Sequence, residues 1–227
     1  MGVRADTQPW PAPAAAGVLE HRRAVLRDDP GAVIALEGSD AFVAEAVALV
    51  PGAADLAGAA VAQADDICVL APDDGWPLVA GALLYPSHWR LSEKVGRPLA
   101  AIHDRVPGYP AGQVDRFLDR LRPGQVVWRR NLLFHRDGEL HAPWPAEADV
   151  PVAGWWLRSE RQTLRVLPDT GAVLFTIGTT TMALADLRHV DRIALGLRVR
   201  ELSEAWADYA GVGAHRDELV DWLTAGA

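Results

Sequence analysis

The chain has 227 residues, half of them apolar, which is enough to bury a substantial core and favours one domain. Its formal charge is −8, and no cluster of Lys or Arg interleaves with aromatic residues, so the footprint that a phosphate backbone demands is absent and nucleic acid is excluded as a partner. The single cysteine, Cys68, excludes an internal disulfide, a zinc site built on Cys pairs and an iron–sulfur cluster held by this chain, and it fits a reducing cytoplasm.

In chain order, residues 1–18 are rich in Pro and Ala without periodicity and are expected to form a loose tail, with no apolar core of signal-peptide length. Residues 19–64 form a helical prelude: a charged segment at 21–28, a helix opened by Ser39 as N-cap, and an Ala-rich helix after Pro51. The longest apolar run, 41–50, carries Glu45 and stops at Pro51, well short of a membrane span. Apolar runs at 67–71 and 78–84, separated by Pro72, Asp73, Asp74 and Gly75, predict a β-hairpin. Short helical pieces follow near 91–95 and 98–104, then an amphipathic helix through Val114, Phe117, Leu118 and Leu121, stopped by Pro123 and Gly124. Strand-like sequence returns at 126–135, 156–167 and 172–181, the last two joined by the turn residues 168–171. Beyond Leu184 the pattern is helical. The expectation is one α+β domain over 19–227, with a core at 65–187 and helices at 188–227: a five-stranded antiparallel sheet of PAS-like order with helices between its second and third strands.

Several kinds of chemistry can be set aside. There is no G-x-S-x-G, and Ser87 and Ser92 read as capping residues. Gly196 stands alone, and Gly211 with Gly213 lacks both a preceding strand and a third glycine, so no nucleotide-binding fingerprint is present. His189 and Asp191 match the H-x-D of a facial-triad iron site, with His215 as a third ligand, but on a helix the two point about 200° apart and cannot share a metal. His21, His135, His141 and His215 sit beside charges in surface-like surroundings. His88, directly after the second strand, and His103, on an apolar helical stretch, stand apart. On residue physics alone, a lone histidine on an apolar helix face is more often a core residue bonded to a carbonyl than a ligand.

Read together, residues 65–72 (DDICVLAP), 85–89 (YPSHW), 93–103 (EKVGRPLAAIH), 106–109 (VPGY), 114–124 (VDRFLDRLRPG) and 158–168 (RSERQTLRVLP) resemble, in content and order, the haem-dependent oxidative N-demethylase family, over residues 65–187. The resemblance implies a PAS-like fold seating haem b, an axial histidine, and oxygen-dependent oxidation of a small methylated amine, with electrons from a separate flavin or iron–sulfur reductase or a ferredoxin. On this basis His103 is the expected iron ligand and His88 the fallback. Lys94, Arg97 and Arg161 are the candidate partners of the haem propionates. Glu160, Gln162 and Thr163, with Asn131 on the neighbouring strand, are the candidate distal and catalytic set. Strand alternation sends Glu160 and Gln162 to one face and Arg161 and Thr163 to the other. A carboxylate in the pocket would hold an alkylammonium by charge or relay protons. Nine tryptophans suit an aromatic pocket, Trp89, Trp128 and Trp156 being either pocket or core.

The chain also departs from the family pattern. Gly178-Thr179-Thr180-Thr181 replaces a run containing Arg, Thr and Tyr, Leu132 and Leu133 replace an aromatic and a hydroxyl, and Arg105 replaces a proline. These changes are expected to enlarge or dry the pocket and to favour either a larger, more hydrophobic amine or a related haem oxidation of a secondary metabolite. Two other readings follow from the same fold: a non-catalytic haem or gas sensor, and a small-molecule binder without haem.

Overall fold

The computed structural model of the protein describes residues 4–5, 10–11, 14–146 and 149–225. Among these, in chain order, stand β1 (Arg4–Ala5), α1 (Ala16–Asp28), β2 (Val33–Ala35), α2 (Asp40–Ala48), α3 (Leu56–Ala62), β3 (Asp66–Leu70) and β4 (Leu78–Ala82). Next come α4 (Leu99–Ile102), α5 (Ala111–Arg120), β5 (Val126–His135), β6 (Trp156–Val166) and β7 (Val173–Ala183). Three helices end the chain: α6 (His189–Arg200), α7 (Glu204–Tyr209) and α8 (Arg216–Thr224).

The α+β class stands, but the expected five-stranded sheet is a seven-stranded antiparallel one in the order β1-β5-β6-β7-β3-β4-β2. The five long strands are those the alternation predicts. The two additional ones, β1 and β2, cap the sheet edges; at two and three residues they are too short to show a period of two. Part of the expected tail therefore has a place in the fold. Arg4 and Ala5 pair with Trp128 and Val127, and the Trp10 ring packs against the core with the Arg165 guanidinium 5.3 Å from its centroid. Burial of a large ring offsets the ordering entropy that composition alone suggested would not be repaid. The rest of that segment, up to residue 13, lies outside the described residues.

Local chemistry explains most boundaries. Gly75 takes φ +73° in the turn between β3 and β4, a conformation open to Gly at little cost. Asp55 caps α3 by accepting the Gly58 N–H at 2.7 Å. Ser39, expected to cap α2, instead donates its hydroxyl to the Leu36 carbonyl at 2.6 Å and is buried. The turn between β6 and β7 is tied to α2, because Glu45 accepts the N–H groups of Asp169 and Thr170.

Three cores result. One face of the sheet (Ile67, Val69, Ala80, Ala82, Leu174) packs under α1, α2 and α3. The other face (Cys68, Leu70, Leu164, Val166, Val173, Phe175) packs under Leu91, Leu99 and Ile102 of the α4 region and under Val114, Phe117 and Leu118 of α5, whose spacing supplies the apolar stripe. The C-terminal helices close a third core around Phe134, Trp155 and Leu157 at the far end of β5 and β6. No helix among the described residues is long and apolar enough to cross a membrane.

Candidate active site

His103 lies at the C-terminal end of the short helix α4, over the sheet face that carries Cys68 and Leu164. Two donors converge on one carbonyl there: the His103 backbone N–H and its ring Nδ1–H both point at the Leu99 oxygen, at 3.0 and 2.9 Å. A bond to a carbonyl fixes the tautomer, so Nε2 carries the free lone pair. The Tyr109 ring lies parallel to the imidazole, 4.5 Å between centroids and 5° between planes, which covers one face of the ring. Burial depresses the His103 pKa to about 4, with Lys94 and Arg129 adding to the shift. The ring is thus a neutral donor at physiological pH.

Beneath it, the β5–β6 register assembles a polar line. Arg129 is opposite Gln162 and Asn131 opposite Glu160. Arg129 Nε donates to Gln162 Oε1 at 2.7 Å, and Gln162 Nε2 donates to Glu160 Oε2 at 3.1 Å. Asn131 Nδ2 also donates to Glu160 Oε2, at 3.4 Å. The other carboxylate oxygen, Oε1, accepts from Arg158 Nε at 3.1 Å. Arg158 is fully buried and also bonds to the Leu140 and Tyr85 carbonyls and to Thr179 Oγ1. Glu160 is therefore neutralised by a buried guanidinium. Its charge is thereby already shared with Arg158, and its carboxylate is fixed in place.

The candidate residues separate by face. Glu160, Gln162 and Asn131 share the face of Leu164 and His103. Thr163 and Arg161 face the opposite way: Thr163 Oγ1 bonds to Thr176 Oγ1 at 2.6 Å, and Arg161 stands 5.6 Å over the Trp128 ring beside Asp65. Lys94 sits on the His103 side, its ammonium 4.2 Å from the Trp89 ring centre and its pKa lowered by burial. Arg97 is exposed and reaches Asp104 at 3.8 Å. Of the positions where the family pattern is broken, Gly178, Thr180 and Leu132 fall on the Arg161 face; a Cβ on Gly178 would stand 2.7 Å from Asp65 Oδ1. Gly178 thus makes room for Asp65, and none of the three borders the Glu160 line. Leu133, opposite Arg158, does.

His88 takes φ +58° and stacks on His135 at 4.4 Å between centroids. His135 corrects the surface reading of its sequence neighbourhood: it is 2% exposed, and its Nε2 shares a 3.0 Å hydrogen bond with Ser87 Oγ, so Ser87 is a partner to a core histidine rather than a helix cap. Ser92 likewise caps nothing; it lies inside the single 3-10 turn Leu91–Glu93. Burial, with His88, Arg158 and Arg136 nearby, drives the His135 pKa to about 3. His189 and Asp191 occupy the first turn of α6, where Asp191 pairs with Arg188 at 2.6 Å, and His215 pairs with Glu218.

The depressed histidines predict an acid-sensitive fold. The folded ring of His135 stays neutral where the unfolded chain takes up a proton below about pH 6.5, so its share of the stability is full above that pH and is lost as pH falls toward 3. Urea midpoints measured at pH 7 and pH 4.5 should show the gap between wild type and His135→Asn shrinking on acidification by about 2 kcal/mol. A constant gap would refute it.

Two open concavities, of about 330 Å³ beside Arg200, Arg216 and Asp221 and about 380 Å³ beside Val43, Val47 and Ala53, lie away from His103. The chemistry concentrates elsewhere, on the His103 face. Across residues 19–220 the chain matches a family model described as haem-dependent oxidative N-demethylase, alpha subunit-like. The chain belongs to that family. Among the described residues of this N-demethylase-like chain, no group of three or more His, Cys, Asp or Glu side chains is placed to hold a metal ion. A haem iron asks less, since its porphyrin supplies four ligands and the protein need supply one imidazole. His103 fits that demand: it is neutral, its Nδ1 is oriented by a carbonyl so that the Nε2 lone pair is left for a metal, and it follows Ile102, which packs on the same apolar cluster as Leu164 and Phe175.

Arg129, Arg158 and Tyr109 contact the candidate residues and are absent from the set expected from sequence. A signal for Arg158 exists, because it precedes Glu160 by two on a strand. Arg129 shares a face with Asn131 for the same reason.

Proposed function

We propose that the domain, read as one unit over residues 19–227, binds haem b, with His103 Nε2 as the residue that would hold its iron. With it the protein oxidises a small amine-like substrate with oxygen, using electrons from a separate flavin or iron–sulfur reductase or a ferredoxin. The observation that carries this reading is the His103 Nδ1–H bond to the Leu99 carbonyl, the orientation device that metal-ligating histidines commonly use. The order β5-β6-β7-β3-β4 of the five long strands, with α4 and α5 inserted between β4 and β5, supports a PAS-like seat for the cofactor. A cytoplasmic setting belongs to the same reading, supported by the lone free thiol of Cys68.

When bound, haem supplies oxygen-dependent oxidation at the carbon next to nitrogen, whose product breaks down to an aldehyde and a shorter amine. The protein's own residues do the rest. Lys94 and Arg97 on the α4 side, with Arg129, offer cations to the propionates. Arg161, on the opposite face, is a poorer candidate. Glu160, held by Arg158 and Gln162, serves as a proton acceptor and donor at Oε2, while Asn131 and Gln162 fix its plane. Tyr109 restrains the His103 ring, and Leu133 presents an apolar wall beside Arg158. Because Gly178, Thr180 and Leu132 face away from this line, they provide no argument for a larger substrate, and a small amine is the better reading.

Haemin titrated into the purified protein should give a Soret band that saturates at one haem per chain. With a surrogate ferredoxin and reductase, oxygen and dimethylamine, formaldehyde should then accumulate. A protein that develops no band is not a haem protein, and a band with no turnover on any amine tested favours the sensor reading.

A further inference from the structure

The sheet face that turns away from His103 is unevenly covered. Helices α1, α2 and α3 lie over its β3–β4 end, where Ile67, Ala80 and Leu174 are buried, and the C-terminal helices lie over Phe134 and pack Leu157. Between these two layers the register sets Leu132 opposite Ser159 and Ser159 opposite Thr180, with Met182 two residues further along β7. Leu132 and Met182 are left 40% and 48% exposed, and Arg130 and Thr180 are exposed beside them.

The charge on this face is one-sided. From β1, β5, β6 and β7 it receives Arg4, Arg130, Arg161 and Arg165 and, among the described residues of those strands, no carboxylate. Arg4 stands opposite Trp128 and is exposed, and Arg130 Nη1 donates to Ser159 Oγ at 2.6 Å. Arg161 lies 5.6 Å over the Trp128 ring, while Arg165 lies over Trp10 at the covered end. Asp65, the carboxylate that a Gly178 Cβ would meet, is only 8% exposed. In a chain of formal charge −8 such a face is an exception, and its field favours an acidic partner. A second copy docked here across a two-fold axis would bring the same arginines to the contact.

Position supplies the rest of the argument. Glu160 and Arg161 are consecutive on β6, so their side chains leave the sheet on opposite faces, Glu160 toward the His103 side and Arg161 toward the open one. A protein seated on the arginine face is therefore one sheet layer from the His103 side and leaves that side free for substrate. We propose that Arg4, Arg130, Leu132 and Met182, with Arg161 at the edge, form the docking surface for an acidic electron-carrier protein. Contacts of this kind are small and transient, and they rely on charge for encounter rather than on a large apolar area. The electron-transfer half of this inference rests on the haem reading above; the docking half does not.

The experiment has two arms, using Arg130→Glu and Met182→Glu on the open face and Arg198→Glu as a control on α6, where Arg198 is 82% exposed and pairs with Glu201. In the first arm, haem-free protein is titrated calorimetrically with two acidic carriers, a plant-type ferredoxin and a flavodoxin. Wild type should bind at least one of them, more weakly as ionic strength rises to about 0.15 M, and each open-face variant should weaken binding roughly tenfold while the control does not. Wild type that binds neither carrier, or a control that weakens binding as much, overturns the proposal. A wild-type dimer in sedimentation that Arg130→Glu disperses assigns the face to a second copy and also overturns it. In the second arm, reduction of haem-loaded ferric protein by the pre-reduced carrier, followed at the Soret band, should slow roughly tenfold in Arg130→Glu, with reduction by dithionite unchanged. Equal slowing with dithionite means that the substitution disturbs the haem and not the docking, and the proposal fails. If the protein takes up no haem, the haem reading is lost, while the calorimetric arm still decides the docking surface.

Discussion

Replacing His103 by alanine is expected to abolish the Soret band of haem-reconstituted protein, whereas His88→Ala is expected to retain it. The two histidines differ in what the fold does to them. At the end of α4, His103 is aimed by the Leu99 carbonyl, kept neutral by burial down to about pH 4, and backed by Tyr109, so binding iron costs it neither a proton nor a rotamer. His88 sits in an exposed left-handed turn, stacked on His135, and among the described residues no carbonyl bonds to its ring. Loss of an oriented ligand should weaken haem affinity by at least about 100-fold, since removing even the group that orients a ligand costs 10- to 100-fold. Free imidazole added to His103→Ala should restore part of the band. A band unchanged in that variant would move the ligand to His88.

Arg22→Met should destabilise the fold by about 3–5 kcal/mol, a large part of the 5–15 kcal/mol that holds a domain of this kind together. Arg22 and Asp66 are both 0% exposed and meet at 3.1 Å. The same guanidinium donates to the carbonyls of Ala60 at 2.6 Å, Ala64 at 2.9 Å and Asp65 at 2.9 Å, stitching α1 to the end of α3 and the start of β3. Asp66 in turn accepts the Leu84 and Tyr85 N–H groups, each at 2.9 Å. Methionine fills similar volume but leaves the carboxylate and those carbonyls without the cation. Burial already pushes the Asp66 carboxyl up, so it would protonate and limit the loss. Urea denaturation at pH 7 checks the figure. An Arg22→Met, Asp66→Leu double variant should cost less than the sum of the two single changes, because the second removes the orphan that the first creates. A midpoint within error of wild type would show that the buried pair contributes nothing.

Much of the scaffold is legible in the amino-acid order. The long strands of the sheet follow from alternation and from turn residues at 72–75 and 168–171, and α5 follows from the spacing of Val114, Phe117, Leu118 and Leu121. These signals act over a few residues, where φ preferences and side-chain period suffice. The place of His103 was readable as either a carbonyl-bonded core histidine or a ligand. The structure shows that the two readings are compatible, because the carbonyl bond at Nδ1 is what frees Nε2.

Which groups face one another was not legible, because it depends on register and docking across the whole chain. Alternation alone leaves two choices of face for Glu160 and Gln162; only the packing of Leu164 and Val166 under α4 and α5 puts them on the His103 side and sends Arg161 and Thr163 away. A carboxylate that reads as free in sequence is paired with Arg158, and His135, which reads as a surface residue, is buried, as is Arg22 in the charged segment of α1, because distant elements close over them. The place of α7 beside β5 is decided the same way, where Ala210 and Gly211 lock onto Phe134. Strand identity is a local property of the chain, set by period and turn chemistry. The membership of the site is a property of burial, decided only when sheet register and helix docking satisfy every buried polar group at once.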